Sequence, residues 1–192
     1  MPRYLAARKQ LWPPLAILTI VAATAYELHR QGRMWLCDCG RVRLWMGDVW
    51  SAENSQQLLD PYSFTHLLQG IIFYALFARL LPRVAFSRRL LLAVAFESLW
   101  EIAEKADRVI DRYRGVTAAI GYHGDTILNS LGDILCFAVG FAAARRLGFR
   151  WGLAVFVVTE AVLLLWIRDS LALNVWMLIF PSRTIRAWQM AH

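Results

Sequence analysis

The stretch that decides the fold is residues 125–144, which read DTILNSLGDILCFAVGFAAA. About 20 helical residues rise roughly 30 Å, which is the thickness of the hydrocarbon core of a bilayer. The stretch is mostly apolar, yet Asp125, Asn129 and Asp133 recur at every fourth position and therefore share one side of a helix. A polar stripe on an apolar helix of this length is typical of a transmembrane helix that lines a polar site inside a bundle.

The whole chain has the composition of a membrane protein. Of its 192 residues, 58% are hydrophobic and 18% are charged, whereas about a quarter of a soluble domain is charged. Further apolar segments predict transmembrane helices over residues 11–28, 63–81, 89–110 and 151–167. Segment 171–180 is too short to cross, which predicts a short, re-entrant or interfacial helix. We therefore predict one integral membrane domain over residues 1–192, an all-α polytopic bundle of five or six transmembrane helices.

The net charge of +7 does not indicate nucleic-acid binding, because the basic residues stand in short clusters between apolar segments. Such clusters orient membrane proteins, with Lys and Arg on the cytoplasmic side. We therefore expect a multi-pass protein of the bacterial inner (plasma) membrane with a cytoplasmic N-terminus, and an interfacial outer loop at residues 30–62. The acid-free clusters on the inner side are Arg3, Arg8 and Lys9; Arg83, Arg88 and Arg89; and Arg145, Arg146 and Arg150.

Three cysteines are too few for a disulfide framework. Cys37 and Cys39 are separated by one residue, and we expect ordinary loop thiols there. The alternatives are a strained disulfide or, with His29 and Asp38, a partial metal site that no second cysteine pair completes.

Acidic residues gather toward one end of the predicted spans. Glu97, Glu101 and Glu104 are spaced i, i+4 and i+7, so they share one helix face. Counted in helical rises, Glu101, Asp133 and Glu160 all lie about 12 Å inside the outer ends of their segments. Charged groups at such depth are costly and mark functional sites. We expect the following side chains to converge in the outer half of the bilayer: His66, Glu101, Asn129 and Asp133.

This set of side chains is suited to metal-assisted chemistry on a phosphate. A general base, oxygen ligands for a hard cation such as Mg²⁺, Ca²⁺ or Mn²⁺, and arginines for a phosphate are all present. The predicted roles are His66 and Glu101 as catalytic groups; Asp125, Asn129 and Asp133 as metal ligands; and Arg112, Arg114 and Arg168 as substrate-binding groups.

Each acid also has a purely structural interpretation. Glu97 could be a protonated packing residue, and Glu104 could pair with Arg108 one turn further on. Asp125 follows a glycine and could cap the helix, and Glu160 could bridge two helices. The sequence leaves both interpretations open.

Several motifs resemble an uncharacterised alphaproteobacterial membrane-protein family, domain of unknown function 2585 or UPF0314. The resemblance covers the chain from about Trp35 to Trp188 and implies no assigned activity. The motifs that carry it include Glu97-Ser-Leu-Trp-Glu101-Ile-Ala-Glu104, Gly124-Asp125-Thr-Ile-Leu-Asn129-Ser-Leu-Gly-Asp133 and Arg168-Asp-Ser-Leu-Ala-Leu-Asn174.

A looser resemblance is to the VanZ-like membrane proteins. His66, Glu101 and the run from Asp125 through Asn129 to Gly132 follow the order of polar residues in that family. Cys136 stands where a further glycine is often found. This resemblance implies a link to the cell envelope and no established reaction.

We therefore predict a multi-pass inner-membrane protein that contacts membrane lipid. The expected role is a non-catalytic cell-envelope or amphiphile-binding function, with a polar intramembrane cavity near the outer leaflet. The alternative is a membrane-embedded, metal-dependent enzyme that acts on a lipid or lipid-linked phosphate substrate. The sequence leaves the ligand, the metal and the oligomeric state open.

Overall fold

The computed structural model describes residues 3–118 and 121–191, with side chains from Trp12 onward. Regular structure in these ranges is helical apart from one isolated parallel bridge between Trp45 and Leu59. The predicted all-α class is confirmed. The helices are α1 Arg3–Arg30, α2 Ser63–Leu80, α3 Phe86–Glu104, α4 Asp107–Val116, α5 Ile127–Ile167, α6 Leu171–Ile179 and α7 Arg183–Met190.

Two of the described helices are long and apolar enough to cross a membrane. They are Ser63–Leu80, with a mean hydropathy of 1.2, and Ile127–Ile167, with a mean hydropathy of 1.8. Both carry large apolar side chains on their outer faces, among them Ile72, Leu76 and Leu165. Exposed apolar area on this scale suggests membrane association. The bundle of five or six spans stays a prediction.

Both ends of α5 lie beside the N-terminal end of α2. Near the start of α5, Asp133 accepts a hydrogen bond from Ser63 at 2.8 Å. Near its end, Trp166 stacks on Trp45 with ring centroids 6.1 Å apart, and Trp45 packs against Phe64 at 5.9 Å. A straight helix of 41 residues would be about 60 Å long. The chain must therefore reverse its direction within α5.

The reversal occurs at Gly148, whose φ of 69° and ψ of 175° are not helical. A residue without Cβ adopts this backbone conformation at little cost. The break lies between the predicted segments 125–144 and 151–167. The two halves of α5, residues 127–147 and 149–167, both pack on α2.

The predicted segment 89–110 is divided in the structure. Helix α3 ends at Glu104, and α4 begins at Asp107 after a bend at Lys105. The bend turns the Lys105 side chain into the protein, where it is fully buried. Asp107 then lies in the first turn of α4, where the helix dipole favours a negative charge.

Helices α2 and α5 are in backbone contact away from the predicted site. A Cβ at Gly140 would lie 2.0 Å from the carbonyl oxygen of Leu67, and a Cβ at Gly70 would lie 2.1 Å from that of Phe137. A cluster of aromatic rings, with Phe137 and Phe141 at its centre, fills the space toward α3. This packing fixes the relative positions of the polar ends of α2 and α5.

The segment between α1 and α2 covers the N-terminal end of α5. Backbone carbonyls of Met34 and Ser55 accept from Ile127 N–H at 2.8 Å and Thr126 N–H at 3.1 Å. These bonds satisfy backbone donors that a helix start leaves free. Cys37 and Cys39 form a disulfide in this segment, so the expectation of ordinary loop thiols was wrong.

Candidate functional site

A cavity of about 860 Å³ opens at the N-terminal ends of α2 and α5. The segment between α1 and α2 encloses it together with α3, α4 and the C-terminal helices. Among the described lining residues, Arg33 is the only arginine or lysine. The carboxylates that line the cavity are Asp38, Glu53, Glu104, Asp125, Asp133 and Asp169.

His66 lies at the centre of the polar cluster, on the first turn of α2. Its Nδ1 is 2.6 Å from Oε1 of Glu97 and 3.6 Å from Oε1 of Glu101. On the other edge of the ring, Nε2 is 3.9 Å from Oδ2 of Asp133, which Ser63 holds through its hydroxyl. The i, i+4 spacing on α3 places Glu97 and Glu101 on the face that meets His66. All four ionisable side chains are buried.

Lys105 forms a second centre beside the first. Its Nζ pairs with Glu104 and Asp125 and lies 3.6 Å from Oε2 of Glu101. The carboxylates of Asp125, Glu101 and Glu104 surround this nitrogen and favour the charged form of the side chain. The side chain is therefore an ammonium ion that neutralises part of the cluster. Lys105 was not among the predicted site residues, although it stands one turn after Glu101.

Glu101 connects the two centres. Its carboxylate is fully buried, and neither oxygen has a hydrogen-bond partner among the described residues. Two sets of potential ligand atoms, each within 4.8 Å of one another, share this residue. The sets are His66, Glu101 and Asp133, and Glu101, Glu104 and Asp125.

The three predicted metal ligands do not form one set. Asp125 pairs with Lys105 and accepts from the hydroxyl of Tyr122 at 2.7 Å, and Asn129 donates its amide to the carbonyl of Gln57 at 2.8 Å. Only Asp133 faces His66. Helix α5 begins after Asp125, so the stripe seen in the sequence does not extend to that residue. The predicted cap is also wrong: Thr126 caps α5 by accepting from the Asn129 N–H.

The three arginines predicted to bind a phosphate are separated in the structure, and none lines the cavity. Arg112 donates to the carbonyl of Leu178 at 2.6 Å, so it joins α4 to α6. Arg168 donates to the carbonyls of Trp188 and Ala191. Arg114 contacts Asp111 and His123. Arg168 therefore joins the end of α5 to the end of α7, whereas the guanidinium group of Arg114 contacts α4 and the segment that follows it.

Two further acids have structural partners. The carboxylate oxygens of Glu160 accept from the N–H groups of Leu171 at 2.9 Å and Ala172 at 3.0 Å. Glu160 therefore caps α6, which is the bridging role open to it in the sequence. Glu104 pairs with Lys105. The structural alternative had been a pair between Glu104 and Arg108, which the ion pairs among the described residues do not include.

Asp169 and Asp60 are buried acids that were not among the predicted site residues. Asp169 accepts from the Ser170 N–H and from the hydroxyl of Tyr62, yet burial dominates and raises the pKa of Asp169 to about 6. Asp60 accepts from the Tyr62 N–H at 2.7 Å. Burial, and next the charge of Asp125, raise the pKa of Asp60. The signal for Asp60 was the turn sequence Asp60-Pro-Tyr-Ser before α2.

The fold and the site define an all-α protein with membrane-type helices and a buried carboxylate cluster at one end. The chain belongs to the family described as "Protein of unknown function (DUF2585)", whose sequence profile matches residues 28–191. The predicted family is therefore confirmed, and its description assigns no activity. The looser VanZ-like resemblance stays an expectation.

Relatives from alphaproteobacteria match along almost the whole chain. A UPF0314 protein of Paracoccus denitrificans (strain Pd 1222) is 41% identical over 99% of this chain and 98% of its own length. Another, from Rhizobium meliloti (strain 1021), is 44% identical over 95% of this chain and 92% of its own length. A third, from Sinorhizobium fredii (strain NBRC 101917 / NGR234), is 45% identical over 91% and 89%. No solved structure matches.

Proposed function

We propose that this chain is a multi-pass inner-membrane protein of the cell envelope that binds an amphiphile, with the polar head group in the cavity. The observation that carries the proposal is the composition of the cavity wall, where carboxylates from four different parts of the chain meet and Arg33 is the only arginine or lysine among the described lining residues. A cavity of this volume at the end of apolar helices can take a head group while the acyl chains stay in lipid.

The distribution of charge supports an orientation with the cavity on the periplasmic side. The acid-free basic clusters lie away from the cavity. Arg83, Arg88 and Arg89 follow the C-terminal end of α2, and Arg145, Arg146 and Arg150 flank the reversal of α5 at Gly148. Arg145 stacks over Phe86 at 4.5 Å, which brings these clusters together. The disulfide between Cys37 and Cys39 lies at the cavity end and suits an oxidising compartment.

The cavity is better suited to a cationic head group than to a bare phosphate. Arg33 is already engaged, donating to Asp107 and to the carbonyl of His123, both at 2.9 Å. Asp133 and Asp169 have no basic partner other than His66 among the described residues. Trp100 also lines the cavity, and an indole ring is the aromatic group that binds ammonium groups best. We infer an amphiphile whose head group carries a protonated amine.

Lipid retention in nanodiscs tests this proposal. The protein is reconstituted with equal amounts of phosphatidylethanolamine and phosphatidylglycerol, and lipids that remain bound are identified by native mass spectrometry. We expect phosphatidylethanolamine to be retained several-fold over phosphatidylglycerol, and Asp169→Asn to reduce that preference. Asp48→Asn, at an exposed position outside the cavity, is the matched control. Equal retention of the two lipids by the wild-type protein would contradict the proposal.

A second candidate is a metal-dependent enzyme acting on a lipid or lipid-linked phosphate. The favouring observation is the hydrogen bond between His66 and Glu97, which orients the imidazole with Nε2 toward Asp133 and the cavity. A histidine held in this way can serve as a general base. Phosphate release from a short-chain lipid pyrophosphate with Mn²⁺, lost in His66→Gln, would support this candidate, and no release by the wild-type protein would remove it.

A further inference from the structure

We propose that His66, Glu101 and Asp133 form a binding site for a divalent first-row transition metal, of which Zn²⁺ is the probe. This inference goes beyond amphiphile binding and does not depend on it. It also replaces the ligand set Asp125, Asn129 and Asp133 by one whose potential ligand atoms lie within 4.8 Å of one another. His66 and Asp133 line the cavity, and Glu101 stands behind them.

The buried carboxylates around His66 and Lys105 outnumber these two cationic side chains. Five carboxylates surround His66 and Lys105, and these two are the only cationic side chains paired with them in the described part of the chain. Even with both side chains charged, the carboxylates would be in excess. Buried charges without compensation are strongly destabilising, so the excess is met either by protonation of the acids or by a bound cation. A divalent cation supplies two of the missing positive charges.

Among the described residues, Glu101 lacks the hydrogen-bond partners that a buried carboxylate normally has. It is fully buried, and both carboxylate oxygens lack a hydrogen-bond partner in the described structure. Buried polar atoms in folded proteins nearly always have a partner, and exceptions call for an unseen ion or water. Oε1 of Glu101 lies 3.6 Å from Nδ1 of His66. A carboxylate oxygen of Glu101 also lies within 4.8 Å of an imidazole nitrogen of His66 and a carboxylate oxygen of Asp133, so it can reach a metal shared by the three side chains.

The position of Lys105 decides between the two candidate ligand sets. In the set of Glu101, Glu104 and Asp125, the ammonium group of Lys105 contacts Glu104 and Asp125 directly, so that set already contains its cation. In the set of His66, Glu101 and Asp133, Lys105 approaches only Oε2 of Glu101, at 3.6 Å. No lysine or arginine lies within ion-pair distance of His66 or Asp133 among the described residues. The metal therefore belongs with His66.

The ligand atoms indicate the class of metal. One imidazole and two carboxylates suit Zn²⁺, Mn²⁺ or Fe²⁺ better than Mg²⁺ or Ca²⁺, which prefer oxygen alone. Glu97 holds Nδ1 of His66 at 2.6 Å and leaves Nε2 free for the metal. A carboxylate behind a metal-binding histidine is a common supporting interaction, and its loss typically weakens binding 10- to 100-fold. Three protein ligands leave a further coordination position open to the cavity.

Metal binding to purified protein tests the site without any amphiphile. Chelator-treated protein in detergent, with its disulfide oxidised, is titrated with Zn²⁺ against a chromophoric chelator, and stoichiometry is measured by elemental mass spectrometry. We expect one Zn²⁺ per chain, bound at least tenfold more tightly than Mg²⁺. His66→Gln and Asp133→Asn should each weaken Zn²⁺ binding more than tenfold, and Glu97→Gln should weaken it roughly 10- to 100-fold. His29→Gln, at an exposed histidine on α1, is the matched control.

Two further measurements distinguish the two candidate ligand sets and give a result on the wild-type protein itself. Glu104→Gln should retain Zn²⁺, because Glu104 belongs only to the set that Lys105 occupies. X-ray absorption of the Zn²⁺-loaded wild-type protein, which needs no variant to fold, should show one imidazole nitrogen among oxygen ligands. No tight Zn²⁺ in the wild-type protein, or loss in Glu104→Gln with retention in Asp133→Asn, would overturn the proposal. Because lipid retention is a separate experiment, failure of one proposal leaves the other standing.

Discussion

Glu101 is a residue of the candidate site that helical spacing predicted. The sequence places Glu97 and Glu101 on one face of α3, and the structure turns that face toward His66. Helical periodicity alone was enough to select these residues together with Asp133. Lys105 could not be selected in the same way, because its burial follows from a bend that depends on contacts with Asp125 across the fold. Asp169 was missed because its hydrogen bond to Tyr62 joins residues that are far apart in the sequence.

Asp169 makes the stability of the protein depend on pH. Burial raises the pKa of this carboxyl to about 6 in the folded protein, from an ordinary value of 3.8. The folded state therefore holds this proton more tightly than the unfolded state. The contribution of Asp169 to stability is highest below pH 4 and falls as the pH rises through 6. The whole change is on the order of 3 kcal/mol, at 1.36 kcal/mol for each pKa unit.

The Asp169→Asn variant removes this titration. We expect its melting temperature in detergent to exceed that of the wild-type protein by several degrees more at pH 7 than at pH 4. The comparison is made by thermal unfolding at both pH values, with Asp48→Asn as the exposed control. A difference between Asp169→Asn and the wild-type protein that does not change with pH would show that Asp169 does not titrate in this range.

At the scale of helices, apolar runs predicted positions well where a single helix fills the run. The predicted segment 63–81 corresponds to α2 Ser63–Leu80, and segment 171–180 corresponds to α6 Leu171–Ile179. The prediction of one continuous helix over residues 89–110 was wrong, because hydropathy is averaged over a window and does not detect the bend at Lys105. The capping of α6 by Glu160 was equally hidden, since its partners are 11 and 12 residues further along the chain.

The contact between α2 and α5 requires glycine at position 140. A Cβ there would lie 2.0 Å from the Leu67 carbonyl oxygen, so Gly140→Ala must push the two helices apart. Overpacking of this kind costs about 1–3 kcal/mol. We expect a lower melting temperature and weaker Zn²⁺ binding, because His66 and Asp133 lie on the two separated helices.

Gly115→Ala is the control for this substitution. Gly115 lies in α4 with no atom within 4 Å of an added Cβ, and alanine favours a helix over glycine by up to about 1 kcal/mol. The control should therefore be neutral or stabilising. Equal melting temperatures for Gly140→Ala and Gly115→Ala would mean that α2 and α5 are not in close contact.

At the scale of the whole molecule, opposite ends of the helices carry opposite chemistry. One end holds the carboxylate cluster, the cavity and the disulfide, and the other end holds the acid-free arginine clusters. The order of apolar segments and charged clusters along the chain was sufficient to predict an acidic end and a basic end of the bundle. The separate segments 125–144 and 151–167 predicted a reversal between them, but not that the single residue Gly148 makes it. The charge pattern also did not predict that Arg112 and Arg168 donate to backbone carbonyls.

Cysteine accessibility in intact cells tests the central claim, a membrane bundle with its acidic cavity on the periplasmic side. In a background with Cys37, Cys39 and Cys136 changed to serine, single cysteines are placed at two exposed positions, Ala52 near the cavity and Ser87 beside the arginines. We predict that an impermeant maleimide labels Ala52→Cys in intact spheroplasts. Ser87→Cys should be labelled only by a permeant reagent or after lysis. Labelling of Ser87→Cys and protection of Ala52→Cys in intact spheroplasts would contradict the account.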